Sequence, residues 1–187
     1  MVEVVVLGER PVVELVNTAP EGTGGAVDLL SDVDLAGRWL IAWAEANPDE
    51  PFPRVPRLSE AELESMVLLR GAVEQVLGGS PRPSSLAVVN RYDSEASPSW
   101  ILSVDGSGRL GVGRRWWGDG VEALLGLVAS DCIDLVRSGM AGDVRRCDAP
   151  TCGLRFVADH HRRRFCRPEC SHRARQAAYH RRRLDDR

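Results

Sequence analysis

The chain has 187 residues, of which 43% are hydrophobic and 27% charged, which suits a globular protein with one sizeable core and a small satellite. No stretch approaches the ~18 apolar residues of a membrane span, and the opening MVEVVVLGERP is too short and too acidic for a signal peptide. We therefore expect a cytoplasmic protein with no membrane partner, in which the five cysteines are thiols or metal ligands rather than disulfides.

The first 57 residues predict two strands, a helix and a connector. β-Branched residues around a turn at 8–11 favour two short strands in VEVVVLGERPVVELVNT. The stretch LSDVDLAGRWLIAWAEANP predicts a helix with Ser31 as its N-cap. Trp39 and Trp43 recur at i+4 in that helix, a spacing typical of core packing. The proline-rich residues 48–57 indicate a connector.

The middle of the chain predicts two more helices and a hairpin. LSEAELESMVLLRGAVEQVLGG begins with a capping box formed by Ser59 and Glu62. SSLAVVNRYDSEA indicates a shorter helix capped by Ser84. WILSVDGSGRLGVGRRWW alternates around Asp105 and Gly106, which is typical of a β-hairpin.

A long amphipathic helix from about Gly120 to Ser138 ends this part of the chain, and its apolar face contains Cys132. We interpret Cys132 as a buried structural thiol rather than a reactive one. Together the elements predict an α+β protein whose N-terminal body, residues 1–143, is mostly helical with short strands and hairpins.

The body offers little catalytic chemistry. Residues 1–143 contain no histidine, and therefore no Ser-His-Asp set, and they show no P-loop or paired-carboxylate signature. We expect a regulatory or dimerisation body and not an enzyme, with a homodimer and an unknown small-molecule effector among its partners. Asn17 is the one polar candidate here, and we favour a turn-forming Asn that bonds its own backbone.

Charge divides the chain unevenly. Residues 1–143 carry 11 Arg against 22 Asp and Glu, a net −11, whereas residues 144–187 carry 13 Arg against 5 acids, a net +8. Genome composition explains why every basic residue is Arg, but it does not explain the clustering. Such asymmetry favours a basic segment that meets a polyanion.

Four cysteines within this basic segment have the spacing of a metal site. Cys147 and Cys152 form one close pair, Cys166 and Cys170 form another, and a short loop separates them. Two such pairs suit one structural, tetrahedral Zn²⁺, and four thiolates leave no open position for catalysis. One alternative to a four-cysteine zinc site is that the cysteines are buried separately and bind no metal. The other is that a histidine replaces one of the four cysteine ligands, the candidates being His160, His161 and His172.

A helix should carry the second pair of ligands. Pro168 suits the first position of a helix that continues to Arg183, with Cys170 in its first turn. A knuckle, a short hairpin through LRFVADHHRRRF and this helix together describe a treble-clef zinc finger covering residues 144–187.

The segment CDAPTCGLRFVADHHRRRFCRPECSHRARQAAYHRRR resembles the CGNR-type zinc finger. Gly153, Phe156 and Asp159 occur in the order in which the family's motif has these residue types. An arginine-rich stretch and an aromatic residue directly before the third cysteine also match the motif. The family's Cys-Gly-Asn-Arg tetrad reads Cys-Ser-His-Arg here, from Cys170 to Arg173.

Upstream motifs extend this resemblance. LVNT, LAGRWLIAW and LLRGAVEQVL occur in the order found in the ABATE domain that precedes the finger in family members. The resemblance covers nearly the whole chain and implies a transcription regulator.

The basic helix implies a nucleic-acid partner, with DNA as the expected one. Arg binds phosphate in a bidentate manner and Gln can read adenine. The candidate contacts are Arg162, Arg163, Arg164, Arg173, Arg175, Gln176, Tyr179, His180, Arg181, Arg182 and Arg183. A solvated arginine face that balances the zinc site is one alternative. The others are a module that binds RNA, the ribosome or an acidic protein, and a small-molecule-binding protein whose finger is only structural.

Overall fold

A computed structural model describes residues 4–21, 27–48, 58–115, 117–118 and 120–185. The helices are α1 (Pro11–Val16), α2 (Val33–Ala46), α3 (Glu60–Leu77), α4 (Pro83–Ala96), α5 (Gly120–Arg137) and α6 (Pro168–Asp185), and a 3₁₀ helix spans Met140–Asp143. The strands are β1 (Ser99–Val104), β2 (Leu110–Arg115), β3 (Val144–Arg146) and β4 (Arg155–Val157). The predicted α+β class, with a mostly helical body and a C-terminal finger, is confirmed.

The two strands predicted at the start of the chain are wrong. Residues 11–16 form α1, residues 4–10 have no regular structure, and residues 2–3 lie outside the described part. Pro11 stands at the first position of α1, where its fixed φ favours a helix. The Glu14 carboxylate then accepts hydrogen bonds from the backbone N–H groups of Leu7 and Glu9, both at 2.8 Å. These contacts hold the preceding loop against the helix.

The capping predictions for the next two helices have different outcomes. α2 is present, but its N-cap is Asp32 and not Ser31, and the Asp32 carboxylate accepts from Leu35 N at 2.8 Å. The capping box of Ser59 and Glu62 at the start of α3 is confirmed. Of the predicted connector, residues 49–57 lie outside the described residues.

The core of the body lies between α1, α2, α3, α4 and α5. Trp39 and Trp43 are buried in it, as their spacing predicts. α4 begins at Pro83 without a side-chain cap, so Ser84 lies inside the helix and does not cap it. Gly126 lets α5 approach α4 closely, because a Cβ at this position would lie 2.1 Å from the Ala96 carbonyl oxygen.

Cys132 lies in this core, on the apolar face of α5, as predicted. Burial and the nearby Asp131 carboxylate raise the pKa of its thiol to about 12. The thiol is therefore protonated and unreactive at neutral pH.

The predicted hairpin is confirmed. β1 and β2 are antiparallel and pair Ser99 with Arg115 at one end and Val104 with Leu110 at the other. Asp105 organises the turn by accepting from the backbone N–H groups of Ser107 and Arg109.

Among the helices of the described residues, none is long and apolar enough to cross a bilayer.

Candidate metal centre and basic helix

The four predicted ligands lie next to β3 and β4 and at the start of α6. Cys147 follows β3, Cys152 precedes β4, Cys166 precedes α6, and Cys170 lies in the first turn of α6. β3 and β4 pair antiparallel, so the knuckle between the first two cysteines is the turn of a hairpin. The hairpin predicted through LRFVADHHRRRF is therefore wrong, because only Arg155–Val157 forms a strand there and its partner precedes Cys147.

The cysteine sulfurs form a cage of the size that zinc needs. All four Sγ atoms lie within 4.8 Å of one another, and the sulfur of Cys152 is 3.6 Å from those of Cys166 and Cys170. A tetrahedral Zn²⁺ with Zn–S bonds of about 2.3 Å places its sulfurs about 3.8 Å apart. Every ligand is buried. The chain therefore holds one structural Zn²⁺ through these four cysteines.

The histidines near the cage do not take part in it. His160, His161 and His172 are exposed, and the cluster of ligand atoms found among the described residues consists of the four cysteines. The alternative in which a histidine replaces a cysteine is therefore not needed. A shell of four thiolates has no open position for a water or substrate, so the site is a structural one.

Electrostatics show why this cage requires a cation. Burial, with the neighbouring sulfurs, raises the pKa of the Cys152 thiol to about 11 and raises that of Cys166 further. Burial also opposes ionisation of Cys170, but hydrogen bonds from the other thiols and Arg167 outweigh it and lower the pKa. A bound Zn²⁺ removes the repulsion between thiolates, and the Arg167 guanidinium offsets part of the remaining negative charge.

Asn17 joins the body to this metal centre. Its side-chain amide donates to the Arg155 carbonyl at 3.0 Å, and its carbonyl oxygen accepts from Arg155 N at 2.7 Å. The side chain is buried. The favoured interpretation of Asn17 as a turn residue bonding its own backbone is therefore wrong, because both side-chain bonds go to β4, 138 residues away.

Two acidic residues of the body, which the sequence did not single out, hold the same strand. The Glu9 carboxylate accepts from Val157 N at 3.0 Å and pairs with Arg163 at 3.3 Å. Glu21 pairs with Arg155. The backbone of Glu21 also lies so close that a Cβ on Gly153 would be 2.2 Å from its carbonyl oxygen, and Gly153 has a φ of +69°.

A second, partly buried network, which the sequence also did not single out, lies beside Asn17. Arg70 donates to the Thr18 hydroxyl at 2.9 Å and to both oxygens of Asp28, at 2.5 and 2.7 Å. Burial alone would raise the pKa of Asp28, but the bonds from Arg70 reverse that effect and hold it below its ordinary value. Thr18 belongs to LVNT and Arg70 to LLRGAVEQVL, so the two motifs meet through this hydrogen bond.

The three consecutive arginines before Cys166 have different surroundings. The Arg163 guanidinium donates to the carbonyls of Val157 and Cys166, at 3.1 and 2.9 Å, and lies 4.6 Å from the centroid of the Phe156 ring. Arg162 is exposed, and Arg164 is exposed while pairing with Asp148 at 2.7 Å. Arg163 is therefore engaged within the fold, whereas its two neighbours face solvent.

Beyond its first turn, α6 is almost entirely accessible. No residue from Ser171 to Arg183 is buried. With 3.6 residues per turn, one face collects His172, Arg175, Gln176, Tyr179, Arg182 and Arg183, all exposed. We call these six residues the basic face of α6. His180 is exposed beside it, and Arg181 is exposed on the side that carries Ala174, Ala177 and Ala178.

Local contacts set the orientation of the helix and of some of its side chains. Arg173 is half-buried and donates to the Pro150 carbonyl at 3.3 Å, which ties α6 to the zinc knuckle. Arg175 donates to the Ser171 hydroxyl at 3.0 Å, and Arg183 donates to the Tyr179 hydroxyl at 3.4 Å. The basic face thus starts from a helix end fixed by Cys170 and Arg173.

Comparison with known families gives two matches. The model of the ABATE family, described as "Putative stress-induced transcription regulator", matches residues 9–139. The model of the CGNR zinc finger matches residues 144–183. A comparison with curated proteins gives no match.

Proposed function

Because the chain belongs to the ABATE family and ends in a CGNR zinc finger, we propose that it regulates transcription by binding duplex DNA through the basic face of α6. The resemblance predicted from the sequence is confirmed for both parts of the chain. The observation that carries the proposal is the exposure of α6: a helix anchored at the zinc cage that leaves every residue from Ser171 to Arg183 at least partly accessible.

The chemistry of the basic face suits a DNA groove. Arginine binds phosphate in a bidentate manner and reads guanine, and the Gln176 amide has the donor and acceptor pair that adenine requires. A helix of this diameter fits the major groove. Because Cys170 and Arg173 fix the start of α6, Arg175 and Gln176 would meet base edges and Arg182 and Arg183 would contact phosphates. Arg181 would point away from the groove. We assign the finger to the treble-clef class, with its last two ligands at the start of the helix.

Of the three arginines before Cys166, two would add contacts with DNA and one would not. Arg162 and Arg164 are exposed and would bind phosphate. Arg163 would act on stability rather than on DNA, because it already binds Glu9 and two backbone carbonyls. Arg162→Ala should therefore weaken DNA binding with little loss of stability. Arg163→Ala should lower the free energy of unfolding by about 1–3 kcal/mol, because it leaves buried acceptors unpaired.

The direct test is selection of bound duplexes from random DNA with the zinc-loaded full chain. We expect an enriched sequence, and Gln176→Ala should relax preference at one base position by about 1–3 kcal/mol. Arg38→Ala, an exposed arginine on α2, is the matched control and should leave the preference unchanged. If no sequence is enriched and single-stranded RNA or an acidic protein binds more tightly, the protein is an interaction module instead.

We propose that residues 1–143 form a regulatory and dimerisation body, that residues 144–187 form the finger, and that the protein is cytoplasmic and not an enzyme. The buried core of the body is formed by residues up to Leu135, which supports independent folding. A chain shortened to residues 1–143 should unfold cooperatively, though at lower denaturant because it lacks the contacts of Asn17 and Glu9 with β4. Absence of a cooperative transition would contradict this division.

We further propose a small-molecule effector site in a cleft of about 550 Å³ between α3, α4 and α5. Its volume lies in the usual range of ligand sites. Tyr92 lines the cleft with the Arg91 guanidinium 4.4 Å from its ring centroid. Glu62, Glu95 and Glu122 outnumber this one arginine, which favours a cationic ligand. A screen of organic cations by thermal unfolding should give a stabilising ligand whose effect is lost in Glu122→Gln, and retention of the effect in that variant would place the ligand elsewhere.

A further inference from the structure

One face of the β1–β2 hairpin exposes large apolar side chains. Because side chains alternate along strands, the paired positions 100/114, 102/112 and 104/110 project on the same side of the hairpin. Five apolar residues of this set are 65–73% exposed, namely Trp100, Leu102, Val104, Leu110 and Val112. We call these five residues the apolar hairpin face.

The opposite face of the hairpin carries one large apolar side chain, Ile101, together with Arg115 and smaller residues. Ser103 is paired with Gly111, and Ile101 with Gly113. The large apolar residues thus point to solvent, which is the reverse of an ordinary half-buried strand pair. An isolated two-stranded hairpin is at best marginally stable in water and gains stability when an apolar face is covered. This distribution indicates that another surface packs on the apolar hairpin face.

We propose that the apolar hairpin face is the homodimer interface, in which the same face of a second copy packs against it about a two-fold axis. The inference specifies the surface of the homodimer within the proposed function, and it does not depend on DNA binding. The five side chains expose on the order of 500 Å² of apolar surface per copy. Two copies would bury on the order of 1,000 Å², which is about the lower limit for a specific interface.

Charge selects the relative orientation of the two hairpins. On the apolar side the open end carries Arg114, because Arg115 pairs with Ser99 and projects to the opposite side, whereas the turn carries Asp105 and Arg109 and has no net charge. Two hairpins packed turn to turn would bring the two Arg114 guanidinium groups near each other. Packed with opposite directions, each Arg114 instead approaches the uncharged turn of the partner, and the repulsion is avoided. A two-fold axis through the central pair, Leu102 and Val112, produces the second arrangement.

The mass of the zinc-loaded full chain in solution, measured by light scattering or sedimentation without DNA, tests the interface. We expect a dimer for the unchanged chain and a monomer for Leu102→Glu. The variant should keep the far-UV circular dichroism spectrum and the zinc content of the unchanged chain, which shows that it is folded. Leu68→Glu, at a 48% exposed position on α3, is the matched control and should remain dimeric. A monomeric unchanged chain, a dimeric Leu102→Glu variant or a monomeric control would each overturn the proposal.

Cross-linking tests the orientation. In the antiparallel arrangement Leu102→Cys lies at the two-fold axis and should form an intermolecular disulfide under mild oxidation, above the background of the unchanged chain. Val104→Cys should not, because its counterpart lies at the other end of the interface. Equal cross-linking of both variants would overturn the antiparallel arrangement. This outcome and the mass measurement are both independent of DNA, so their failure leaves the DNA proposal standing.

Discussion

The side chain of Asn17 makes two hydrogen bonds to the backbone of Arg155, at 3.0 and 2.7 Å, on the edge of β4 that faces the body. Glu9 occupies the next position on the same edge by accepting from Val157 N. The outer edge of the strand that follows the zinc knuckle is thus hydrogen-bonded by Asn17, which caps the end of α1, and by Glu9 in the loop before α1. The body and the zinc finger are therefore held together by hydrogen bonds along this edge of β4.

Asn17→Ala should lower the stability of the protein and weaken this joint. The substitution leaves the N–H and carbonyl of Arg155 unpaired in a partly buried place, which costs about 1–3 kcal/mol. Urea unfolding of the zinc-loaded chain measures the loss. Asn90→Ala, at an exposed position on α4, is the control and should change the free energy of unfolding by less than about 0.5 kcal/mol. Equal effects of the two substitutions would contradict the structural role of Asn17.

Removal of the metal should unfold the finger while the body keeps its helices. The finger has a small core of its own, and metal binding supplies much of its folding free energy. We expect about one zinc per chain by metal analysis, and none after Cys147→Ala together with Cys170→Ala. Cys132→Ala is the control and should keep the full zinc content, because that thiol lies in the core of the body. Zinc retained by the double variant would contradict the ligand assignment.

The sequence predicts features that rest on local chemistry. The capping box of Ser59 and Glu62, the hairpin around Asp105 and the ligand role of the four cysteines each follow from residue types at fixed spacing, and each is confirmed. The helices α2, α3 and α5 follow equally well from their apolar periodicity. Their boundaries do not, because Ser31 and Asp32 are both good caps and only the backbone decides between them.

Features that depend on distant partners could not be predicted. VEVVVLGERPVVELVNT has the composition of strands, but Pro11 and the burial of Glu14 favour a helix there. Asn17 resembles a turn residue until β4 is placed beside it. Arg163 cannot be distinguished from Arg162 by sequence, although one is held by Glu9 and the other faces solvent. In each case a contact more than 100 residues away, or a buried charge, outweighs local preference.

Glu14 should make stability depend on pH. Burial raises the pKa of its carboxyl to about 7 despite hydrogen bonds from the N–H groups of Glu9 and Leu7. Because the folded pKa lies above the ordinary value of 4.5, the folded state holds a proton that the unfolded state releases. This contribution is fully present below pH 4.5 and is lost as pH rises through 7, by about 3 kcal/mol in all.

Urea unfolding between pH 5.5 and 8 measures this effect as the difference between the unchanged chain and Glu14→Gln. The difference should change with pH, because the introduced amide does not titrate while its oxygen can still accept the two N–H bonds. Zinc loss at low pH affects both proteins and cancels in the comparison. Glu64→Gln, at an exposed position on α3, should give a constant difference. A constant difference for Glu14→Gln as well would contradict a buried, titrating carboxyl.

The end of α6 should determine how strongly DNA binding depends on salt. Arg181, Arg182 and Arg183 are exposed and lie farthest from the zinc cage, where contacts with phosphate rather than bases are expected. Each phosphate contact contributes about 0.9 to the slope of log affinity against log salt. Because Arg181 lies off the basic face, replacing all three with Ala should remove two phosphate contacts, flatten the slope by roughly two units and weaken every duplex to a similar extent.

Fluorescence anisotropy at several salt concentrations provides the measurement, with one selected and one unrelated duplex. The matched control replaces Arg38, Arg82 and Arg109, three exposed arginines of the body, and carries the same change in net charge. If α6 makes the contacts, the control keeps the original slope, because the loss of three charges elsewhere alters only the long-range field. Equal slopes for the two triple variants would mean that the overall charge of the chain, rather than α6, governs its attraction to DNA.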